Sequence, residues 1–430
     1  MTDKPGLGAR RLALAALDGV LNHGRTLEER VAQQALEPHE RAFALRLATT
    51  ALRHKGEAEA ALAPLLKSPL PKSAGLTRLI LLLAAAELLV LRSPAHAVID
   101  CAVDLAKADR NARHFAGVVN AVLRKAASAP PAPAPAADIN TPGWLYARWE
   151  NAYGPARARE IALSHACEPA LDLSVKADAA AWALRLGGVP LPGGSIRLRA
   201  PSGAVTSLPG FAEGQWWVQD WAAAQPARLF GAVRGKTILD LCAAPGGKTA
   251  QFAAAGAEVT AIDSSAPRVK RLQENLARLE LSAQVLCDDL MSFSSTTRFD
   301  GVLLDAPCSA TGTIRRHPDL PYLKTAGQIG ELARLQSRFL DRAARFVKPG
   351  GLLVYSTCSL EPEECEQQAD AFLARQSGFQ RFKLTDADLS GVTGLISPAD
   401  DLRSLPFMAA GDQPGMDGFY AARLLCTEPV

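Results

Sequence analysis

The sequence predicts a multidomain protein: an all-α N-terminal bundle, a small α+β subdomain, and a C-terminal α/β domain built on a doubly wound, Rossmann-like sheet. Three observations carry that prediction. Residues 1–125 set apolar side chains at helical spacing with few β-branched runs, as in Leu12, Ala15, Ala16, Val20 and again Phe43, Leu45, Leu47, Leu52. After Gly235, strand-like runs alternate with helical stretches, the pattern of βαβ units and a parallel sheet. Between these regions Ala126 to Ala137 is rich in Pro and Ala; proline lacks the backbone donor that a helix needs, so an extended linker is expected there. A chain of 430 residues is also too long for a single core.

Taken in order, the bundle occupies 1–125 and closes at Phe115-Ala116-Gly117-Val118-Val119-Asn120-Ala121-Val122-Leu123-Arg124. The linker is placed at 126–140. From 141 to 232 a helix, Pro155 to His165, precedes short strand-like pieces at Leu171–Val175 and Trp216–Val218. The α/β domain, 233–430, carries strands at Thr237–Ala243, Val259–Asp263, Ala283–Asp289, Gly301–Asp305 and Gly351–Thr357.

Composition narrows the function classes. Arg10-Arg11 followed by Leu12–Leu17 is cut short by Asp18, and the run Leu79–Ala86 is bracketed by Arg78, Glu87 and Arg92, so neither is a signal peptide or a membrane span. A cytoplasmic protein without a membrane partner is expected. Eight cysteines include no C-x-x-C pair and no His at ligand spacing, which argues against a zinc site or a disulfide framework; no metal is expected. Residues 1–125 hold 18 Lys and Arg against 12 Asp and Glu, a net +6, whereas the whole chain is only +3. That asymmetry turns the N-terminal module toward a polyanion, although an Arg-rich helical surface gives the same count.

Chemistry concentrates in the α/β domain. Asp240-Leu241-Cys242-Ala243-Ala244-Pro245-Gly246-Gly247-Lys248 runs from a strand into a helix through a glycine pair, where backbone N–H groups can face a ligand. Asp263, at the end of the next strand, suits a ribose diol, and Asp289 is expected to end the third strand in the same row. Gly247-Lys248-Thr249 imitates a phosphate-binding loop, but the glycine required five residues earlier is Cys242. Two further strands end in Asp305-Ala306-Pro307-Cys308-Ser309 and Thr357-Cys358-Ser359. Cytosine C5 is a poor nucleophile, so methylating it needs a thiolate to add at C6, a group to bond N3, and a base to take the C5 proton. Cys308 and Cys358 stand where ligands bind open α/β sheets, and Asp305 can bond the N3/N4 edge. Spacing alone leaves open which thiol attacks.

These motifs, with Ala310-Thr311-Gly312, Arg315-Arg316-His317-Pro318-Asp319 and Pro362-Glu363-Glu364, resemble the RNA (cytosine-C5) methyltransferases of the nucleolar-protein/Sun family. The helical region ending in Val119-Asn120-Ala121-Val122-Leu123-Arg124 is similar to the NusB-like RNA-binding domain of one bacterial subgroup, which methylates a cytosine of 16S rRNA. The resemblance implies a class I methyltransferase domain and S-adenosylmethionine as cofactor. It implies Cys358 as the C6 nucleophile, Cys308 as the group assisting elimination, and Lys248 between cofactor and base. The cofactor would lie against Cys242, Ala243, Ala244, Pro245, Gly246, Gly247, Lys248, Asp263, Asp289 and Asp305. The partner would be 16S rRNA, naked or partly assembled, and the protein a monomer. Region 141–232 would position RNA, with Gln219-Asp220 and Asp417-Gly418-Phe419-Tyr420 matching later motifs. Two departures stand out: Leu173-Ser174-Val175-Lys176 replaces Leu-Arg-Val-Asn, and Cys287-Asp288-Asp289 replaces a Gly-Asp pair. Competing readings are an m5C methyltransferase of tRNA or another rRNA site, and a non-catalytic RNA-binding assembly or antitermination factor.

Overall fold

The computed structural model describes residues 4–32, 36–128, 138–199 and 203–428, and the chain divides into two compact units, Met1–Cys167 with Ile314–Lys324 and Glu168–Thr313 with Thr325–Val430.

The first unit is all helical: α1 (Leu7–His23), α2 (Leu27–Ala32), α3 (Pro38–Arg53), α4 (Lys55–Leu62), α5 (Thr77–Leu89), α6 (Ala95–Ala108), α7 (Ala116–Ser128) and α8 (Gly143–Ala166). Helix α5 is apolar on every side and sits at the centre, its residues from Leu79 to Leu88 all buried. The one acid in that run, Glu87, is matched by Arg10 of α1, whose Nε donates to Oε2 at 2.9 Å and whose Nη2 bonds Oε1. Helix α7 continues through Ser128, so the start of the linker expected at 126 is helical; residues 129–137 lie outside the described residues. Gly154, at φ 79°, and Pro155 break α8, and the helix expected from Pro155 to His165 is its second half. A segment distant in sequence completes this unit. Ile314–Lys324 carries the short helix α13 (Leu320–Leu323); Asp319 accepts the Leu27 N–H at 3.2 Å, Tyr322 donates to the Leu52 carbonyl at 3.1 Å, and Arg53 donates to the Arg315 carbonyl at 2.9 Å.

In the second unit a four-stranded antiparallel sheet comes first, β1 (Leu171–Val175), β2 (Val189–Leu191), β3 (Ser195–Leu198) and β4 (Trp216–Val218) in the order β2-β3-β1-β4, with α9 (Ala179–Leu186) against it. Its buried charge is matched: Arg197 grips Asp172 through Nε and Nη2 at 2.7 and 2.8 Å. Helix α10 (Trp221–Arg228) leads to the main sheet. There β5 (Thr237–Leu241), β6 (Glu258–Asp263), β7 (Gln284–Cys287), β8 (Phe299–Asp305) and β9 (Val347–Thr357) run parallel, linked by α11 (Gly247–Ala254), α12 (Ala266–Arg278) and α14 (Ala326–Ala344). After α15 (Glu366–Arg375) come β10 (Phe379–Arg381), β11 (Leu402–Ser404), the hairpin β12 (Ala409–Ala410) and β13 (Gln413–Pro414), and β14 (Phe419–Cys426). The order β10-β14-β9-β8-β5-β6-β7 places β14 antiparallel beside β9, so the sheet is mixed where alternation alone predicts it parallel.

One strand end differs from expectation. Strand β7 stops at Cys287, and Asp289 lies in the turn beyond it, its Oδ1 accepting the Met291 N–H at 2.7 Å. A short acidic side chain that bonds backbone two residues on favours such a turn over continued strand.

Candidate active site

A cavity of about 950 Å³ opens at the carboxyl edge of β5 to β9, lined by Cys242, Asp263, Asp289, Asp305, Cys308 and Cys358 among others. Six of the residues expected at the site thus share one space. Ala243 to Gly247 and Lys248 are not on its wall. Instead they form the turn behind it: Cys242 leaves β5 at φ 60°, the Ala244–Pro245 peptide is cis, and Gly246 opens α11 at φ 100°. A Cβ at Gly246 would stand 2.8 Å from Leu272 of α12, so only glycine lets the turn close against that helix.

The acidic row is built into this turn. Asp263 accepts the Ala244 N–H at 3.2 Å and the Ser265 N–H at 3.0 Å, and Arg268 approaches it at 3.2 Å. Asp240, at the end of β5, is fully buried; it accepts from the Thr249 hydroxyl at 2.6 Å while its Oδ1 has no partner, and burial pushes its carboxyl up to about 7. Burial likewise raises the Cys242 thiol far above its ordinary range, which keeps it neutral and unreactive.

At the other end of the cavity the two thiols meet. Cys308 Sγ lies 3.5 Å from Cys358 Sγ. The hydrogen bond to Cys358, and then burial, hold Cys308 well above the usual thiol range, so in this arrangement it keeps its proton and is not a standing thiolate. Asp305 accepts from Lys248 Nζ at 2.7 Å and from the Ser356 hydroxyl at 3.0 Å, and the Lys248 ammonium stands 5.1 Å from the Phe419 ring centroid. Gly312 donates to the Cys358 carbonyl at 3.0 Å and accepts from Gly418 at 2.8 Å.

Two later motifs also come together, since Asp220 caps α10 through the Ala222 N–H at 2.9 Å and accepts the Asp417 N–H at 3.0 Å. Ser174, where the family pattern has arginine, is buried and donates to Gln219 at 2.8 Å. Sequence reasoning missed Arg268, Met291, Ser292, Leu335, Arg338 and Phe339 on the cavity wall. Arg338, Leu335 and Phe339 come from α14, where a 3.6-residue pattern identifies a face but not what that face covers. Among the described residues no group of three or more His, Cys, Asp or Glu could hold a metal ion, and no helix is long and apolar enough to cross a membrane.

A family model for the 16S rRNA methyltransferase RsmB/F matches residues 228–425, and one for the NusB family matches residues 7–128. Ribosomal RNA small subunit methyltransferase B of Vibrio cholerae is 36% identical over 97% of both chains. Its counterpart in Cronobacter sakazakii is 34% identical over 98% of this chain and 99% of its own. The crystal structure of PH0851 shares the fold at 23% identity and a TM-score of 0.74, covering 98% of this chain and 99% of that one.

Proposed function

The chain belongs to the 16S rRNA methyltransferase RsmB/F family, and on that premise we propose that it methylates C5 of a cytosine in 16S rRNA through a covalent bond between Cys358 and C6. The observation that carries this reading is the pair of thiols 3.5 Å apart on the wall of a cavity that also holds Asp263, Asp289 and Asp305. S-adenosylmethionine, when bound, supplies an electrophilic methyl group. The cavity suits it: the wall is acidic where a ribose and an adenine have donors to offer, and the glycine turn behind it leaves the backbone unshielded. Asp263 and Asp289 would hold the nucleoside, and Cys242 to Lys248 would frame it.

The rest of the chemistry belongs to the chain's own groups. Asp305, oriented by Lys248 and Ser356, accepts from N4 at the N3/N4 edge of the base, and the Lys248 ammonium beside it offsets the negative charge that develops when sulfur adds at C6. Cys358 loses its proton to solvent and attacks as the thiolate, forming the S–C6 bond while the 5,6 π pair moves onto C5 and makes it electron-rich. After C5 has gained the methyl group, Cys308, its own proton first lost to solvent, takes the C5 proton; the C–H pair restores the 5,6 double bond and the S–C6 bond breaks, its pair returning to the Cys358 sulfur. The basic helical unit would hold RNA through phosphate contacts, in the cytoplasm where ribosomal RNA is made, with the protein acting as a monomer.

The test is transfer of labelled methyl from S-adenosylmethionine to protein-free 16S rRNA, followed by mapping of the base. A single 5-methylcytosine supports the proposal. Transfer only to tRNA or 23S rRNA would discard the substrate, and transfer to no RNA would discard the enzyme in favour of an RNA-binding factor.

A further inference from the structure

Each of the two site cysteines is followed by a serine, and both serines end on one carboxylate. Glu364, fully buried in the turn before α15, uses all of its acceptor capacity. Its Oε1 accepts the Ser309 N–H at 2.8 Å and Gln336 Nε2 at 3.1 Å. Its Oε2 accepts the Ser359 hydroxyl at 2.5 Å and the Ser309 hydroxyl as well. The two hydroxyl oxygens are themselves 3.1 Å apart. Among the described residues no Lys or Arg forms an ion pair with Glu364. Four neutral donors meet it instead, an arrangement that a carboxylate, acceptor-only when ionised, accommodates and a neutral amide does not.

We propose that Glu364 is the positioning residue of the two-thiol site: it ties the loop after β8 to the loop after β9 and so sets the distance between Cys308 and Cys358. This rests on the covalent reading above. Strands β8 and β9 are in register only as far as Asp305 opposite Ser356. Past that point the two loops part from the β8–β9 ladder: Ala310 turns at φ 60°, and a backbone bond from the Gly312 N–H to the Cys358 carbonyl at 3.0 Å joins them again. The clasp takes over where the ladder stops. Gln336 of α14 reaches both the Glu364 carboxylate and the Pro307 carbonyl, the latter at 2.9 Å, and the Tyr355 hydroxyl of β9 donates to the Glu364 backbone carbonyl at 2.6 Å, so the side chain is held from α14 and the backbone from β9. A buried Glu could serve packing alone. Here, however, two of its contacts are the serines next in sequence to Cys308 and Cys358, and a third, Gln336, also holds the residue before Cys308. Its charge also adds to the effects that keep Cys308 a neutral thiol, after the Cys358 hydrogen bond and burial; Cys358, Glu364 and Tyr355 are the titratable groups that Cys308 faces.

Glu364→Gln keeps the shape but presents an amide donor where donors already point. The expected result is a kcat for methyl transfer lower by about 100-fold, the scale of a small misplacement of reacting groups. The KM values for RNA and S-adenosylmethionine should stay within about twofold, because binding groups are untouched. The rising limb of the kcat–pH profile, set by loss of the Cys308 proton, should move to lower pH, and Glu364→Asp should recover part of kcat. A variant with wild-type kcat and profile overturns the inference, and so does a loss of kcat that follows lost thermal stability with the profile unmoved. Should Glu364→Gln fail to fold, Ser309→Ala with Ser359→Ala empties half the clasp, and wild-type kcat in that pair is equally fatal. RNA carrying 5-fluorocytosine separates the two levels of the argument: no adduct with the wild-type protein removes the covalent reading itself, whereas an adduct formed equally fast by wild type and Glu364→Gln removes only the clasp.

Discussion

Cys308 and Cys358 show what a single residue reveals in sequence and what it withholds. Both could be placed at the carboxyl edge of a sheet because each follows an apolar run ending in turn residues, and the structure brings them to 3.5 Å. The Glu364 clasp could not be read, since it joins positions 55 residues apart in sequence to Ser309 and nothing in the local pattern announces it. Cys358→Ala should abolish methyl transfer while RNA affinity stays, measured by label incorporation and filter binding. Cys308→Ala should slow turnover by about 10²- to 10⁴-fold, the range for a group that moves a proton, and should leave a protein–RNA adduct on a denaturing gel. His165 tests electrostatics of a different kind. Both of its ring nitrogens are buried without a partner, and burial, followed by the positive charges of Arg315 and Arg53, pushes its imidazole down to about 3. The unfolded chain therefore takes up a proton near pH 6.5 that the folded chain refuses until about pH 3, so stability falls as pH drops through that window. Between pH 7 and pH 5 the cost is about 2 kcal/mol, and urea titrations of His165→Phe should show an acid limb flatter by that amount.

At the level of elements, the parallel strands β5 to β9 and their helices were legible because long, strongly patterned runs outvote local noise. The strand β14 was not, although it is buried along most of its length, because an eight-residue run that is apolar but for Arg423 is also compatible with a helix. The turn after β7 escaped for the opposite reason: Asp289 looks like a strand end until its side chain is seen to cap the backbone of Met291. Two elements invite measurement. The loop after β8 passes so close to the start of β14 that a Cβ on Gly312 would meet the Gly418 carbonyl oxygen at 1.9 Å. Gly312→Ala must push that loop, and the Cys358 carbonyl bonded to it, away from β14; kcat should fall by about 10²-fold with cofactor affinity by calorimetry little changed. In the helical unit the Arg10–Glu87 pair links α1 to the buried α5. Removing one partner strands the other charge in apolar surroundings, so Glu87→Ala should cost about 3–5 kcal/mol in chemical denaturation, whereas the double change Arg10→Met with Glu87→Leu should cost far less.

For the molecule as a whole, the charge split along the chain was readable by counting, and it carries the prediction that RNA affinity is governed by salt. If the helical unit neutralises phosphates, the logarithm of the association constant should fall linearly with that of salt concentration, by about 0.7 for each phosphate contacted on single-stranded RNA, while kcat at saturating RNA stays level. An affinity indifferent to salt would separate the basic surface from RNA binding. Composition could not reveal that neither unit is continuous in sequence. Ile314–Lys324 belongs to the first unit although it is embedded in the sequence of the second, and Asp319 and Tyr322 make their bonds to Leu27 and Leu52 from there. This sets the order of events on the ribosome: the helical unit emerges first, yet it waits for about 150 further residues to be translated before its last piece arrives, and over that interval the surface later covered by Tyr322 and Leu323 is open to chaperones.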